Sequence, residues 1–153
     1  MKRRQLIAPV FAFPLFPLAL AAKEAVQDPW PRGRLMEPAT LAEMLRDPAK
    51  APVVISVVFP VLYRQKHIAG AKFAGPTSKA EGISALKQAV SSLPKDTFIV
   101  VYCGCCPMAH CPNIRPAFQT LSEIGYTNVH VLDLPSNFRT DWMEKGYPVE
   151  PRS

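Results

Sequence analysis

The four cysteines of this chain fall within nine positions, Cys103-Gly104-Cys105-Cys106-Pro107-Met108-Ala109-His110-Cys111. They follow the apolar run Thr97-Phe98-Ile99-Val100-Val101-Tyr102. They precede a stretch in which Ile114, Ala117, Phe118, Leu121 and Ile124 repeat at helical spacing. In open parallel sheets, sites form where strands deliver their carboxyl ends. A thiol there faces the N-terminus of the next helix, whose unpaired N–H groups and dipole favour an anion. Its pKa falls and the thiolate, the form that attacks sulfur and other electrophiles, becomes more abundant. Location and residue type therefore agree on a nucleophilic thiol.

Three uses of these cysteines compete. One is a single nucleophile in an anion-binding loop. Another is a staple, such as a Cys106–Cys111 disulfide, in an oxidising compartment. The third is a metal, because Cys103 and Cys106 have C-x-x-C spacing and His110 or Cys111 could complete a zinc or copper shell. A single C-x-x-C without a second distant pair is a weak metal signal, so neither a metal nor a cofactor is assigned. Heme attachment is excluded, since Pro107 stands where a histidine is required. The first two uses are compatible, because one thiol can react while two others are bridged.

Several neighbours carry two readings. Arg115, in the first turn of the following helix, either holds an anion or is a solvated charge. Met108 either lines the mouth of a pocket or covers it. His110 reads as a loop residue rather than a base, and His67 as a structural histidine making a turn hydrogen bond. Phe138 and Trp142 have helical spacing and read as core, with Ser136 and Asn137 as the cap of that last helix.

The elements that must position the thiols are legible around them. Val53–Val58 and Thr97–Tyr102 are strands of the kind buried on both faces. Ala71–Ala74 is a short extended piece, and Asn128–Leu132 is another strand. Thr40 with Glu43, and Ser78 with Glu81, have capping-box spacing at the start of two helices. In the second of these, Ile83, Leu86, Val90 and Leu93 share a face that ends before Pro94. Gly125 ends the helix after the cysteines. Strands alternating with helices imply a parallel sheet, and the class is α/β. With 153 residues there is room for one such domain, and 17 prolines against 7 glycines exclude a coiled coil.

Residues 1–21 read as a secretory signal: Lys2, Arg3 and Arg4, then an apolar run from Leu6 to Ala22 ending in Ala19-Leu20-Ala21. An uncleaved anchor is the alternative, and only that would place the chain on a membrane. Either way, residues from Lys23 onward are expected outside the cytoplasm, periplasmic or secreted, where disulfides persist. Cleavage lowers the net charge from +6 to +3, and no Lys/Arg stripe exists, so nucleic acid is not an expected partner. Residues 22–34, rich in proline and charge, read as an irregular lead-in to a domain over 35–150.

The ordered set of motifs resembles the rhodanese-like family. Val53–Gly75 with His67-Ile68-Ala69-Gly70-Ala71 is similar to the family's buried strand and following turn. Ile99-Val100-Val101-Tyr102-Cys103 resembles the strand that ends in the catalytic cysteine. Gly125–Leu132 looks like the next strand, and Trp142 with Gly146-Tyr147-Pro148-Val149-Glu150 resembles the closing signature. The resemblance implies a single rhodanese-like domain, a central parallel sheet flanked by helices on both faces. It implies a sulfurtransferase in which Cys103 takes sulfane sulfur from a small anionic donor such as thiosulfate. The resulting persulfide then passes sulfur to cyanide, a thiol or a thiol protein partner. Gly104, Cys105, Cys106, Met108, Ala109, His110, Cys111 and Arg115 would form the active-site loop, its N–H groups cradling donor and persulfide. Two departures stand out. Ser56-Val57-Val58 replaces the family's Asp-Val-Arg, and the loop is longer, with three extra cysteines and two prolines. Phosphatases of this fold need C-x5-R, and Ala109 occupies the arginine position. A non-catalytic module of the same fold, with bridged or metal-bound cysteines acting as a redox or binding partner, is the alternative.

Overall fold

The computed structural model describes residues 27–151, so the expected leader lies outside the described residues. In chain order, the first half consists of β1 (Leu35–Met36), α1 (Pro38–Met44), β2 (Val53–Ser56), α2 (Pro60–Gln65), β3 (His67–Ile68) and β4 (Lys72–Phe73). The second half holds α3 (Ala80–Val90), β5 (Ile99–Tyr102), α4 (Ile114–Glu123), β6 (Val129–Leu132) and β7 (Val149–Glu150). Five strands form one parallel sheet in the order β1-β6-β5-β2-β4. β3 and β7 pair antiparallel beside it, His67 opposite Glu150 and Ile68 opposite Val149.

β5 is central and buried at every position, with Val54 and His130 flanking Val100 in register. Side chains alternate along a strand, so one apolar run supplies two cores. Ile99 and Val101 join Leu86 and Val90 of α3 and Ala117 and Leu121 of α4. Val100 and Tyr102 join Leu41 of α1, Leu132 and Trp142 on the opposite face. The sheet is therefore covered by helices on both faces, as expected. Cys103 continues the first series and falls on the α3–α4 side.

Neither capping box forms. α1 begins earlier, at Pro38, whose fixed φ and missing N–H suit a first helical position, and Thr40 lies within the turn. α3 begins after Lys79, and the Ser78 N–H donates instead to Asn113 Oδ1 at 3.0 Å. Ser78 thus ties the start of α3 to the start of α4. In α3, a Cβ on Gly82 would lie 2.0 Å from the Pro76 carbonyl oxygen, so the helix can press on its own preceding turn only with glycine there.

Residues 27–34, the described part of the lead-in, are more ordered than their composition implies. Trp30 is buried and meets Phe118 of α4 edge-on at 5.7 Å, and Arg32–Arg34 form a 3-10 turn. The last helix is a π-helical turn, Arg139–Met143, with Trp142 fully buried. Asn137 Oδ1 accepts the Thr140 N–H at 2.9 Å, while the Ser136 N–H donates to the Asp141 carboxylate, so Asn137 alone caps. Among the described residues no helix is long and apolar enough to cross a membrane.

Candidate active site

Cys103 leaves β5 at its carboxyl end with 4% of its surface exposed. Gly104 then turns the chain with φ +72°, where an added Cβ would sit 2.7 Å from Phe138 Cβ. The turn doubles the loop back so that its sulfurs converge. Cys103 Sγ and Cys105 Sγ are 3.2 Å apart, and Cys105 Sγ and Cys106 Sγ 3.3 Å. The Sγ atoms of Cys103, Cys105 and Cys111 all lie within 4.8 Å of one another. All four are free thiols, so the Cys106–Cys111 bridge weighed from the sequence is not formed. The metal set weighed there, with Cys106 as second ligand, is also replaced: Cys105 takes that place, and His110 is exposed.

Asn113 closes the group from below. Fully buried, it donates from Nδ2 to Cys103 Sγ at 3.5 Å and accepts the Ser78 N–H, while its carbonyl accepts the Thr77 hydroxyl. Sequence reasoning missed it, although asparagine directly before a helix has the type expected of a cap.

The negative charge does not rest where the sequence places it. Cys111, not Cys103, receives the amides at the start of α4. Hydrogen bonds from Cys103 and Cys105 hold its thiol far below the ordinary range, and the Asn113 and Ile114 N–H groups add to this against the cost of burial. For Cys103, the hydrogen bond with Cys105 acts downward. The bond to Cys111, burial and repulsion by the Cys111 charge outweigh it and push the thiol up to about 12. Cys105 is raised by its bonds to Cys103 and Cys111 and by burial, and Cys106 chiefly by burial. One thiolate among close sulfurs suppresses further ionisation of its neighbours.

A cavity of about 440 Å³ opens over Cys103, Gly104 and Cys105. Val58, Leu62, Phe138 and Met143 form apolar walls, and Lys66 and Arg139 bring two cations to its lining. Lys66 Nζ donates to the Pro151 carbonyl at 2.8 Å, and Arg139 pairs with Glu144 at 3.2 Å on the surface. Phe138, expected in the core, is thus half-buried and a cavity wall. A second cavity of only about 10 Å³ is bordered by Cys103, Cys106, Met108 and Cys111. Cys103 touches both spaces, Cys105 only the larger and Cys111 only the smaller.

The remaining loop residues divide. Met108 borders the small cavity and not the mouth of the large one, and Ala109 and His110 are exposed on the 3-10 turn Met108–His110. Arg115 is neither an anion ligand nor a solvated charge. It pairs with Asp28 at 2.6 Å, reaches the Met108 and Cys111 carbonyls at 3.3 and 3.5 Å, and lies over the Trp30 ring. It clamps the loop to the lead-in. His67 is structural: Nδ1 meets the Tyr63 carbonyl at 2.8 Å and the ring stacks on Tyr63.

Comparison with known proteins agrees with this geometry. The family model described as the rhodanese-like domain matches residues 37–134. Among curated proteins none matches. The crystal structure of the Alr3790 protein from Anabaena sp. is 24% identical, covering 75% of this chain and 90% of its own, with TM-score 0.57. A rhodanese-related protein from Thermoplasma volcanium is 24% identical over 78% of this chain and 99% of its own, with TM-score 0.54. A thiosulfate sulfurtransferase from Pseudomonas aeruginosa is 26% identical over 78% of this chain and 20% of its own, with TM-score 0.56.

Proposed function

Because the chain belongs to the rhodanese-like domain family, we propose that it is a sulfurtransferase that moves sulfane sulfur from a small anionic donor to a thiol or cyanide through a persulfide on Cys103. The observation that carries this reading is the position of Cys103: it ends the central strand, borders the large cavity and touches a neighbouring sulfur network. Likeness to the thiosulfate sulfurtransferase supports thiosulfate as a donor class. The apolar leader pattern supports a site of action outside the cytoplasm, periplasmic or secreted.

The chemistry follows from the cluster. Cys103 carries a proton at neutral pH and reacts through the fraction that gives it up to solvent in the cavity. Cys103–S⁻ then attacks the outer sulfur of thiosulfate, the S–S bond breaks, and sulfite departs with the electron pair, leaving Cys103–S–S⁻. Lys66 and Arg139 favour the approach of the dianion, and the apolar walls keep the polar contacts few and strong. An acceptor thiolate or cyanide removes the outer sulfur.

Thiosulfate:cyanide transfer by the wild type and by Cys103→Ser tests the reading. We expect loss of about 10³-fold or more in the variant, the scale for removal of a nucleophile. Thiosulfate alone should release one equivalent of sulfite from the wild type and none from Cys103→Ser. Activity that survives in Cys103→Ser, or a wild type inert with every donor, overturns it. A second reading has one observation in its favour: the three Sγ atoms within 4.8 Å could also hold a soft metal ion in a non-catalytic module. Stoichiometric metal in the purified protein, together with no transfer activity, would favour that reading.

A further inference from the structure

A sulfurtransferase that hands its sulfur to an outside acceptor needs one cysteine, whereas here three sulfurs are gathered at one point. We propose that Cys111 is a resolving thiol, which expels the persulfide's outer sulfur as sulfide and closes a Cys103–Cys111 disulfide, making the protein a dithiol-dependent thiosulfate reductase. The inference rests on the persulfide reading above and adds a second half-reaction to it.

The geometry favours Cys111 over Cys105. Displacement at a sulfur atom is in line, with the attacking thiol opposite the leaving group. The outer sulfur arrives from the large cavity and must leave through it. Cys105 borders that same cavity and so stands beside the leaving atom. Cys111 borders only the small cavity that Cys103 also touches, so it meets Cys103 from the other side. Chain geometry agrees, since Cys103 and Cys105 are separated by Gly104 alone, while the strand end and Cys111, three residues before α4, are brought together by the whole loop. Cys111 is also 4% exposed, shielded from outside disulfides and available to Cys103.

The step balances. Cys111–S⁻ and Cys103–S–SH, the persulfide taking its proton from solvent, give Cys103–S–S–Cys111 and HS⁻. The new S–S bond replaces the old one, the outer sulfur is reduced to sulfide, and the two cysteine sulfurs are oxidised. A dithiol reductant then opens the bridge by thiol–disulfide exchange, becoming a disulfide itself. Over a cycle, thiosulfate and a dithiol give sulfite, sulfide, a proton and the dithiol's disulfide.

The test is thiosulfate added without reductant or oxygen to the full-length protein, with sulfite, sulfide and peptide masses followed together. The wild type should release sulfite and sulfide in equal, stoichiometric amounts, stop, and yield a peptide pair joined through Cys103 and Cys111. A dithiol such as dithiothreitol should restart turnover. Cys111→Ser should release sulfite but no sulfide and keep the added sulfur on Cys103. Sulfite with a stable wild-type persulfide and no bridge overturns the inference and leaves the sulfurtransferase reading intact. Absence of both sulfite and persulfide overturns the sulfurtransferase reading itself. Sulfide from Cys111→Ser at the wild-type yield assigns resolution to another thiol and also overturns the inference. Should Cys111→Ser fail to fold, the wild-type peptide map decides alone.

Discussion

β5 and the loop that leaves it touch at the Tyr102–Cys103 peptide but obey different physics. In the strand, burial decides: Ile99, Val100 and Val101 are fully buried between two helical layers, and any apolar side chain of similar volume serves nearly as well. In the loop, identity decides. The placement of four sulfurs depends on one left-handed glycine, one buried asparagine and one arginine clamp. The strand makes the loop's position possible, and the loop makes that position chemically useful. Mutations should therefore separate stability from sulfur transfer along a boundary one residue wide.

The sharpest separation lies on either side of that boundary. Beyond its loss of activity, Cys103→Ser should keep its thermal midpoint within a few degrees of wild type, since it only exchanges one sulfur atom for a smaller oxygen. Val101→Ala should do the reverse, losing about 2–4 kcal/mol in urea unfolding while activity per folded molecule is kept. Activity falling in step with stability in both would erase the distinction. Gly104→Ala tests the hinge between the regions. The strained φ and the clash with Phe138 should cost about 1–3 kcal/mol and depress transfer as well. Arg115→Ala should cost less, about 1 kcal/mol, because Asp28 is half exposed, and should appear mainly as faster amide exchange through the loop.

The smallest effect is a pH dependence. The folded protein keeps Cys111 ionised where the unfolded chain, with a thiol pKa of about 8.5, is protonated, so the unfolded state binds more protons. Stability from this group is complete above about pH 8.5 and declines as pH falls. Cys103 works oppositely. Its folded pKa of about 12 keeps a proton that the unfolded chain releases, so its contribution is complete below about pH 8.5 and is lost as pH rises toward 12. Urea midpoints should peak on the mildly alkaline side, and Cys111→Ser should flatten the acid limb relative to wild type. An unchanged acid limb would move the thiolate elsewhere in the cluster.

What could be read from the residues follows the same division. Val53–Val58, Thr97–Tyr102 and Asn128–Leu132 announce buried strands because β-branched runs have few other uses, and all three contribute to the sheet. The two-residue strands β1, β3 and β7 carry no such signal, since β7 exists only because Ile68 and Val149 meet across the fold. Thr40 and Ser78 have the types of caps, yet Pro38 starts its helix first and Asn113 takes the Ser78 amide. In the loop, the place of the thiols is legible from the strand before and the helix after. Their arrangement is not. Which sulfur meets the α4 amides depends on how far Gly104 and the Met108–His110 turn fold the chain back, and spacing along the sequence does not encode that distance. Arg115 was opaque for a related reason: its partner Asp28 lies in a segment whose proline content masks the anchoring role of Trp30.

The Phe138 amide donates to the Gly104 carbonyl at 2.9 Å. That single bond fastens an aromatic panel directly to the bend that presents the thiols, so the gap between them is set before any guest arrives. A fixed aperture sorts visitors by width and shape at first contact instead of moulding itself around them. With about 440 Å³ behind it, the opening leaves room for a sulfur compound well beyond thiosulfate in size.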